Sequence, residues 1–210
     1  MKKISNKKKL IILISLLVVL ILSYGVLLLV NIDSLKKYNK EILPNTYVEE
    51  FDLSYYSYKE AYDRLNYYND YILNKKIKVN VNSKDYDYTL KDLGVVVDVD
   101  NTINSIKKYQ KKLGYGRKLM LSNGKIKKNF SIIYKVDDNK INEALNGLKA
   151  TTDYPPVDGY FDVSEGVRYN PGVDGYSLNV DGSRGELVKV INKGINKKTK
   201  VTLLGDVLKA

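Results

Sequence analysis

Late in the 210-residue chain, around a Pro- and Gly-rich stretch, stand Tyr160, Arg168, Tyr169, Asn170, Asp174 and Tyr176. Flat aromatic rings can stack on the faces of a ligand. The planar fork of an arginine can grip a carboxylate, and an asparagine can exchange neutral hydrogen bonds with an amide. Loops and turns are where such binding groups are usually presented. The same residues also have structural uses, because tyrosines pack well on sheets and Asn170-Pro171-Gly172 suits a turn. Arg117 and Arg184, scarce arginines in a lysine-rich chain, suit a buried ion pair or a carboxylate.

Catalytic chemistry finds fewer parts. There is no Cys, His or Trp, which removes thiol nucleophiles, imidazole acids and bases, zinc-finger ligand sets and disulfides. A glycosidase needs two carboxyl groups across a cleft. The paired carboxylates here, Asp98 with Asp100 and Asp137 with Asp138, sit at strand ends and helix starts, where capping and the helix dipole account for them. Asp158-Gly159, Asp174-Gly175 and Asp181-Gly182 are turn signals and lack the spacing of a calcium loop. The residues therefore point to binding, with no catalytic residue, metal or cofactor indicated. The 19 tyrosines have two readings, an aromatic binding surface or an A/T-rich genome that also over-uses Lys, Asn and Ile.

Leu10 to Val30 is a run without a charge, long enough at about 1.5 Å per residue to cross the roughly 30 Å of a bilayer core. A cleaved signal peptide would show a shorter apolar region and a small-x-small site, so an uncleaved anchor in the lipid bilayer is expected. Lys2, Lys3, Lys7, Lys8 and Lys9 precede it without an acid, which places the N-terminus in the cytoplasm and the rest of the chain outside as a single-pass membrane protein. The net charge of +11 falls to +6 once those five lysines are set aside. A nucleic-acid partner then loses its compartment. The remaining charge suits solubility or attraction to an anionic wall polymer.

The elements that must position the candidate residues follow from periodicity. The expected organisation is a basic tail (1–9), a transmembrane anchor (10–30), a polar stalk (31–43) closed by Pro44, and two α+β units (44–125 and 126–210). In the first, Tyr47–Leu53 reads as a strand, and Ser57–Tyr71 as one amphipathic helix through Tyr58, Ala61, Tyr62, Leu65 and Tyr68. Lys76–Asn82 and Tyr86–Leu90 read as a hairpin, and Leu93–Asp100 as an apolar strand ending at a helix cap. In the second, a strand over Ile132–Val136 leads to a helix capped by Asp137 or Asp138 and buried along Ile141, Ala144, Leu145 and Leu148. A hairpin over Gly159–Ser164 and Gly166–Tyr169, a strand over Gly175–Asp181, a helix over Ser183–Ile191 and a strand over Val201–Leu204 follow. Ala61 and Leu65 align with Ala144 and Leu148, Tyr88 with Tyr169, Gly94 with Gly175, and Val99-Asp100 with Val180-Asp181, at nearly constant spacing. Two similar helix–hairpin–strand–helix units with mainly antiparallel or mixed sheet are expected; two ordinary α+β patterns could also coincide this far.

Several motifs in this order carry a resemblance: ILPNTYVEEFDLS (Ile42–Ser54), KEA (Lys59–Ala61), YTLKDLGVVVD (Tyr88–Asp98), GYGR (Gly114–Arg117), PPVDGYFDV (Pro155–Val163) and YNPGVDGYSLNVD (Tyr169–Asp181). Together with the apolar run they resemble the exported N-terminal region of VanW/YoaR-like proteins, a region assigned to peptidoglycan binding. Similar modules precede some Gram-positive L,D-transpeptidase domains. The glycines usual in the first motif are here Glu49, Glu50, Tyr55 and Tyr56, and the chain stops at Ala210 where the family usually continues into a VanW or transpeptidase domain. The resemblance implies a membrane-anchored, extracytoplasmic, non-catalytic module of a Gram-positive envelope. The ligand expected is peptidoglycan or an anionic wall polymer; the resemblance supplies no contact residues, and Tyr160, Arg168, Tyr169, Asn170, Asp174 and Tyr176 are candidates on their side-chain chemistry alone. The alternatives are an envelope scaffold that docks a protein partner, or the non-catalytic part of a longer enzyme.

Overall fold

The computed structural model describes residues 6–164, 166–195 and 198–210. In chain order the helices are α1 (Asn6–Leu35), α2 (Tyr58–Tyr67), α3 (Asn69–Leu73), α4 (Val99–Lys112), α5 (Tyr115–Ser122), α6 (Asp138–Thr152) and α7 (Val180–Lys193). A 3₁₀ turn over Lys36–Asn39 follows α1. The first six strands are β1 (Thr46–Val48), β2 (Phe51–Asp52), β3 (Lys76–Val81), β4 (Lys84–Thr89), β5 (Val95–Val97) and β6 (Lys128–Phe130). The remaining six are β7 (Tyr134–Val136), β8 (Tyr160–Asp162), β9 (Arg168–Asn170), β10 (Gly175–Leu178), β11 (Lys200–Thr202) and β12 (Gly205–Leu208). The fold is mixed α+β, with small sheets in which β1–β6 and β3–β11 pair in parallel and the other named pairs are antiparallel. Two compact units are formed, unit 1 from residues 1–61 and 104–130 and unit 2 from residues 62–103 and 131–210.

Unit 1 begins with α1. Among the described residues it is the helix long and apolar enough to cross a membrane, over Lys7–Val26, and none of that stretch is buried in protein. The hydroxyls of Ser15 and Ser23 donate to the carbonyls of Ile12 and Leu20, so the polar side chains inside the apolar run are satisfied within the helix itself. Beyond the apolar run, Leu35 and Tyr38 join Leu43 and Leu121 in a buried cluster, flanked by Tyr109, Leu113, Tyr115 and Ile126. Burying a leucine such as Leu121 contributes about 1.5–3 kcal/mol. Gln110, buried beside this cluster, accepts from the Leu43 N–H at 2.8 Å and donates to the Glu41 carbonyl and the Tyr58 hydroxyl, both at 3.1 Å. One amide thus closes the backbone around Pro44 onto α4.

The strands expected over Leu93–Asp100 and Gly175–Asp181 end at Val97 and Leu178, with their last residues in α4 and α7, and two further elements are broken in the middle. Tyr47–Leu53 was expected as one strand, but Glu49 takes a positive φ of 51° and folds it into the β1–β2 hairpin, with Val48 opposite Phe51. The Glu49 N–H donates to the Phe130 carbonyl, next to the parallel β1–β6 pairing. Ser57–Tyr71 was expected as one helix. It starts with a reciprocal cap, Ser57 Oγ to the Glu60 N–H and Glu60 Oε2 to the Ser57 N–H. It then breaks at Tyr68, which leaves helical geometry and precedes α3.

Unit 2 contains the β3–β4 hairpin, turned at Asn82-Ser83 with both residues at positive φ as a two-residue hairpin turn requires. Ile77, Val79 and Val81 alternate into the core. Asp98 caps α4 by accepting from the Asn101 N–H, and Asp137 caps α6 by accepting from Asn139 and Lys140. Helix α6 lies against α7 and β10, and buries Ile141, Leu145 and Leu148 while Ala144 is half-buried.

Candidate functional site

From Tyr154 to Tyr176 the chain of unit 2 doubles back on itself in one unbroken register: Tyr154 faces Tyr176, Val157 faces Val173, Tyr160 faces Asn170, Phe161 faces Tyr169 and Asp162 faces Arg168. The ladder is interrupted where Pro155, Pro156 and Pro171 fall, because proline has no N–H to contribute. The result is a two-stranded ribbon whose outer part is β8 and β9. Glu165, between these strands, lies outside the described residues.

Directly opposed residues of an antiparallel pair share a face, and neighbours along a strand alternate. Tyr160, Asp162, Arg168 and Asn170 therefore occupy one face of the ribbon, Phe161 and Tyr169 the other. Tyr160 is 58% exposed, and Arg168 is exposed and makes no ion pair with any described residue. Phe161 and Tyr169 are 66% and 57% exposed, with ring centroids 5.1 Å apart. Val163 and Val167 are exposed near the tip. The Asp162 carboxylate accepts from the Ser164 N–H and hydroxyl, which hold it below the usual carboxylate range and in its acceptor form.

The other two candidates lie at the base. Tyr176 is 6% exposed and stacks on Tyr154 with centroids 6.5 Å apart, while burial, followed by the charges of Asp153 and Asp206 and the Tyr154 hydroxyl, pushes its phenol up. Asp174 receives the Lys209 ammonium at 2.7 Å and the Ala210 N–H at 3.1 Å, and Lys209 foremost holds it below its ordinary value. Gly175 passes so close to the opposite strand that a Cβ there would stand 2.5 Å from Pro156 N and 2.6 Å from the Tyr154 carbonyl oxygen. The Tyr154 hydroxyl, in turn, accepts from Asn82 at the β3–β4 turn.

Beneath the base, Lys149 of α6 donates to Asp153 Oδ2 at 2.5 Å, Ser177 Oγ at 2.7 Å and the Leu178 carbonyl at 3.1 Å. Ser177 also donates to Asp153, whose other oxygen accepts from the Leu178 N–H. Burial acts to raise the Asp153 carboxyl, but Lys149, the Leu178 N–H and the Ser177 hydroxyl together lower it. A serine beside a lysine can be activated when the amine is neutral. Here all three ammonium hydrogens are used and a carboxylate sits on one of them, so the cluster ties α6 to β10.

The structure thus brings Tyr160, Arg168 and Asn170 onto one ribbon face, sets Tyr169 on the reverse with Phe161, and holds Asp174 and Tyr176 at the base. Phe161 was not singled out from the sequence, although its alternation with Tyr160 inside the strand was a usable signal. Among the described residues no group of three or more carboxylates is placed to hold a metal. Residues 86–200, a little over half of the chain and the whole ribbon with them, match the family model described as "Putative peptidoglycan binding domain". Comparison with curated proteins and with solved structures finds no match.

Proposed function

We propose a function from one premise, that the chain belongs to the family described as a putative peptidoglycan binding domain: it is a membrane-anchored extracytoplasmic module that holds peptidoglycan on the ribbon of unit 2. The observation that carries this reading is the exposure of Tyr160, Arg168, Phe161 and Tyr169 on a two-stranded arm inside the matched residues. Aromatic rings on both faces suit the flat sides of glycan sugars. The Arg168 fork suits a stem-peptide carboxylate, and the Asn170 amide suits N-acetyl or peptide amides. Asp174 and Tyr176 take a positioning role, holding the arm rather than touching the ligand. The α1 apolar run supplies the anchor, and its preceding lysines favour a cytoplasmic N-terminus with both units outside. The VanW/YoaR resemblance and the absence of His and Cys favour a non-catalytic role in a Gram-positive wall.

The full chain in mild detergent is expected to co-sediment saturably with purified sacculi stripped of anionic polymers at physiological salt. Arg168→Ala and Tyr160→Ala are each expected to weaken that binding about tenfold, the scale of a contact carrying a substantial share of the affinity. A folded wild-type chain that stays in the supernatant would overturn the assignment. Loss of binding with salt alone, unaffected by either substitution, would show diffuse charge attraction in its place.

A further inference from the structure

The positive charge of this protein is concentrated in one unit. Beyond Val30, unit 1 holds 13 basic and 6 acidic residues, whereas unit 2 holds 17 basic and 18 acidic. Nine of the 13 fall between Lys107 and Lys128, along the second half of α4, α5 and the loop into β6, a stretch without an Asp or Glu. Seven of these nine side chains are exposed, and Lys118 and Lys128 are half-buried. None of the nine forms an ion pair with any described residue. Lys107, Lys127 and Lys128 lie over the rings of Tyr58, Tyr47 and Tyr109 instead, contacts that orient an ammonium without neutralising it. In unit 2 several lysines find carboxylates, among them Lys135 with Asp98, Lys149 with Asp153, Lys200 with Asp85 and Lys209 with Asp174.

The same unit contains the apolar helix. The candidate span ends at Val26, and α1 continues without a break to Leu35, about 14 Å further on at 1.5 Å per residue. There Leu35 is buried in a cluster with Leu121 of α5, the helix that carries Arg117 and Lys118. The headgroup layer on each side of a bilayer core is about 5–8 Å deep. The screening length at physiological salt adds about 8 Å of electrostatic reach. A rigid helical spacer of this length therefore holds α5 within reach of lipid phosphates.

We propose that unit 1 rests on the anionic phospholipid surface of the membrane that α1 crosses, through the basic segment Lys107–Lys128. The inference depends on the reading of α1 as a membrane span. Phospholipid is the favoured polyanion because the tether and the patch share one small unit, so the lipid surface is presented at high effective concentration before any wall polymer is met. The neutral charge balance of unit 2 leaves the ribbon free to meet its ligand by stacking and directed hydrogen bonds.

The chain has no cysteine, so a single Asn123→Cys substitution on exposed surface beside α5 can carry an environment-sensitive fluorophore, with Asn146→Cys on α6 as a control. The full-length protein is placed in phosphatidylcholine nanodiscs, with and without phosphatidylglycerol, and quenching by neutral acrylamide is measured. Phosphatidylglycerol is expected to lower quenching at position 123 about twofold and to leave position 146 unchanged. The protection should vanish at about 1 M salt, where the screening length shrinks to about 3 Å. It should vanish also in a variant combining Lys107→Glu, Lys108→Glu, Lys111→Glu and Lys112→Glu. Co-elution with phosphatidylcholine discs but no response to phosphatidylglycerol overturns the inference and leaves the span intact. Failure to co-elute with any disc overturns both. Protection produced by soluble polyglycerol phosphate, with none from phosphatidylglycerol, assigns the surface to a wall polymer and overturns the lipid proposal.

Discussion

Gln110 offers a severe test of how unit 1 is held together, because Gln110→Glu changes almost nothing in shape and much in charge. The native amide accepts one buried N–H, that of Leu43, and donates to the Glu41 carbonyl and the Tyr58 hydroxyl. A protonated carboxyl can reproduce the acceptance and one donation, so at acid pH the variant should lose only about 1 kcal/mol. An ionised carboxylate has no hydrogen to give and would face the Glu41 carbonyl in a site 3% exposed to solvent. Burial raises a carboxyl pKa, with documented buried glutamates reaching about 8–9. The sign follows directly. Below the unfolded pKa of about 4.3 both states are protonated and no penalty exists. Above it the unfolded chain ionises first, and the variant loses about 1.4 kcal/mol per pH unit relative to wild type until the folded pKa is reached. If the folded value lies at or above neutrality, the loss reaches about 4 kcal/mol at pH 7, or roughly 10 °C in melting temperature for a chain of this size. The assay is thermal unfolding of both proteins in the same mild detergent across that pH range, read as the difference between them at each pH. A difference that stays flat with pH would refute the account of Gln110 as a buried donor to backbone.

Gly175→Ala should lower stability by about 1–3 kcal/mol, since the added Cβ meets backbone of Tyr154, Pro155 and Pro156 and not a movable side chain, whereas Gly147→Ala on the open face of α6 should raise it by up to about 1 kcal/mol; thermal melts of the two variants report the contrast. Asp153→Ala removes the acceptor of the Leu178 N–H, and exchange of that amide is expected to quicken about tenfold or more while the amides of α7 keep their rates. Asp98 is held below its ordinary pKa, first by Lys135 and then, against burial, by the Asn101 backbone and side chain, so its contribution is present above the unfolded carboxyl pKa and is lost as pH falls through the folded one. Asp98→Asn should accordingly be less stable than wild type at neutral pH and show a shallower decline on acidification, as followed by denaturant titration from neutral pH to about pH 2.

The elements legible in the sequence are those specified by neighbours. The uncharged run that became α1, the alternation of Ile77, Val79 and Val81 in β3, and the presence of a capped helix start near Asp98–Asp100 and at Asp137 or Asp138 each depend on a few adjacent residues, although which aspartate caps, Asp98 and Asp137, is settled only by the fold. The aligned Gly94 and Gly175 both prove to be places where another backbone comes close, that of α6 at Asp137–Ile141 in one case and that of Tyr154–Pro156 in the other. What stayed hidden was non-local. Nothing in the local pattern announces that β3 pairs in parallel with β11, or β1 with β6, because those partners are many residues away. The break at Glu49 was invisible because a glutamate is not a residue that asks for positive φ; its left-handed conformation accompanies pairing with Phe130. At the candidate site, alternation and turn chemistry located the arm, but the burial of Tyr176 and the engagement of Asp174 depend on β12 and the C-terminal residues, whose partnership with β10 has no local signature.

The prolines of the ribbon have a consequence for how the protein survives in a crowded compartment. A projecting pair of strands that displays Phe161, Val163 and Val167 is the kind of segment that recruits further strands and seeds aggregates. Pro155, Pro156 and Pro171 carry no N–H, so whichever way each faces, the run of backbone donors along these strands is cut short at the base of the ribbon. The arm can thus keep greasy, aromatic surface on display without inviting a second chain to zip along it, and sticky side chains are separated from a sticky backbone.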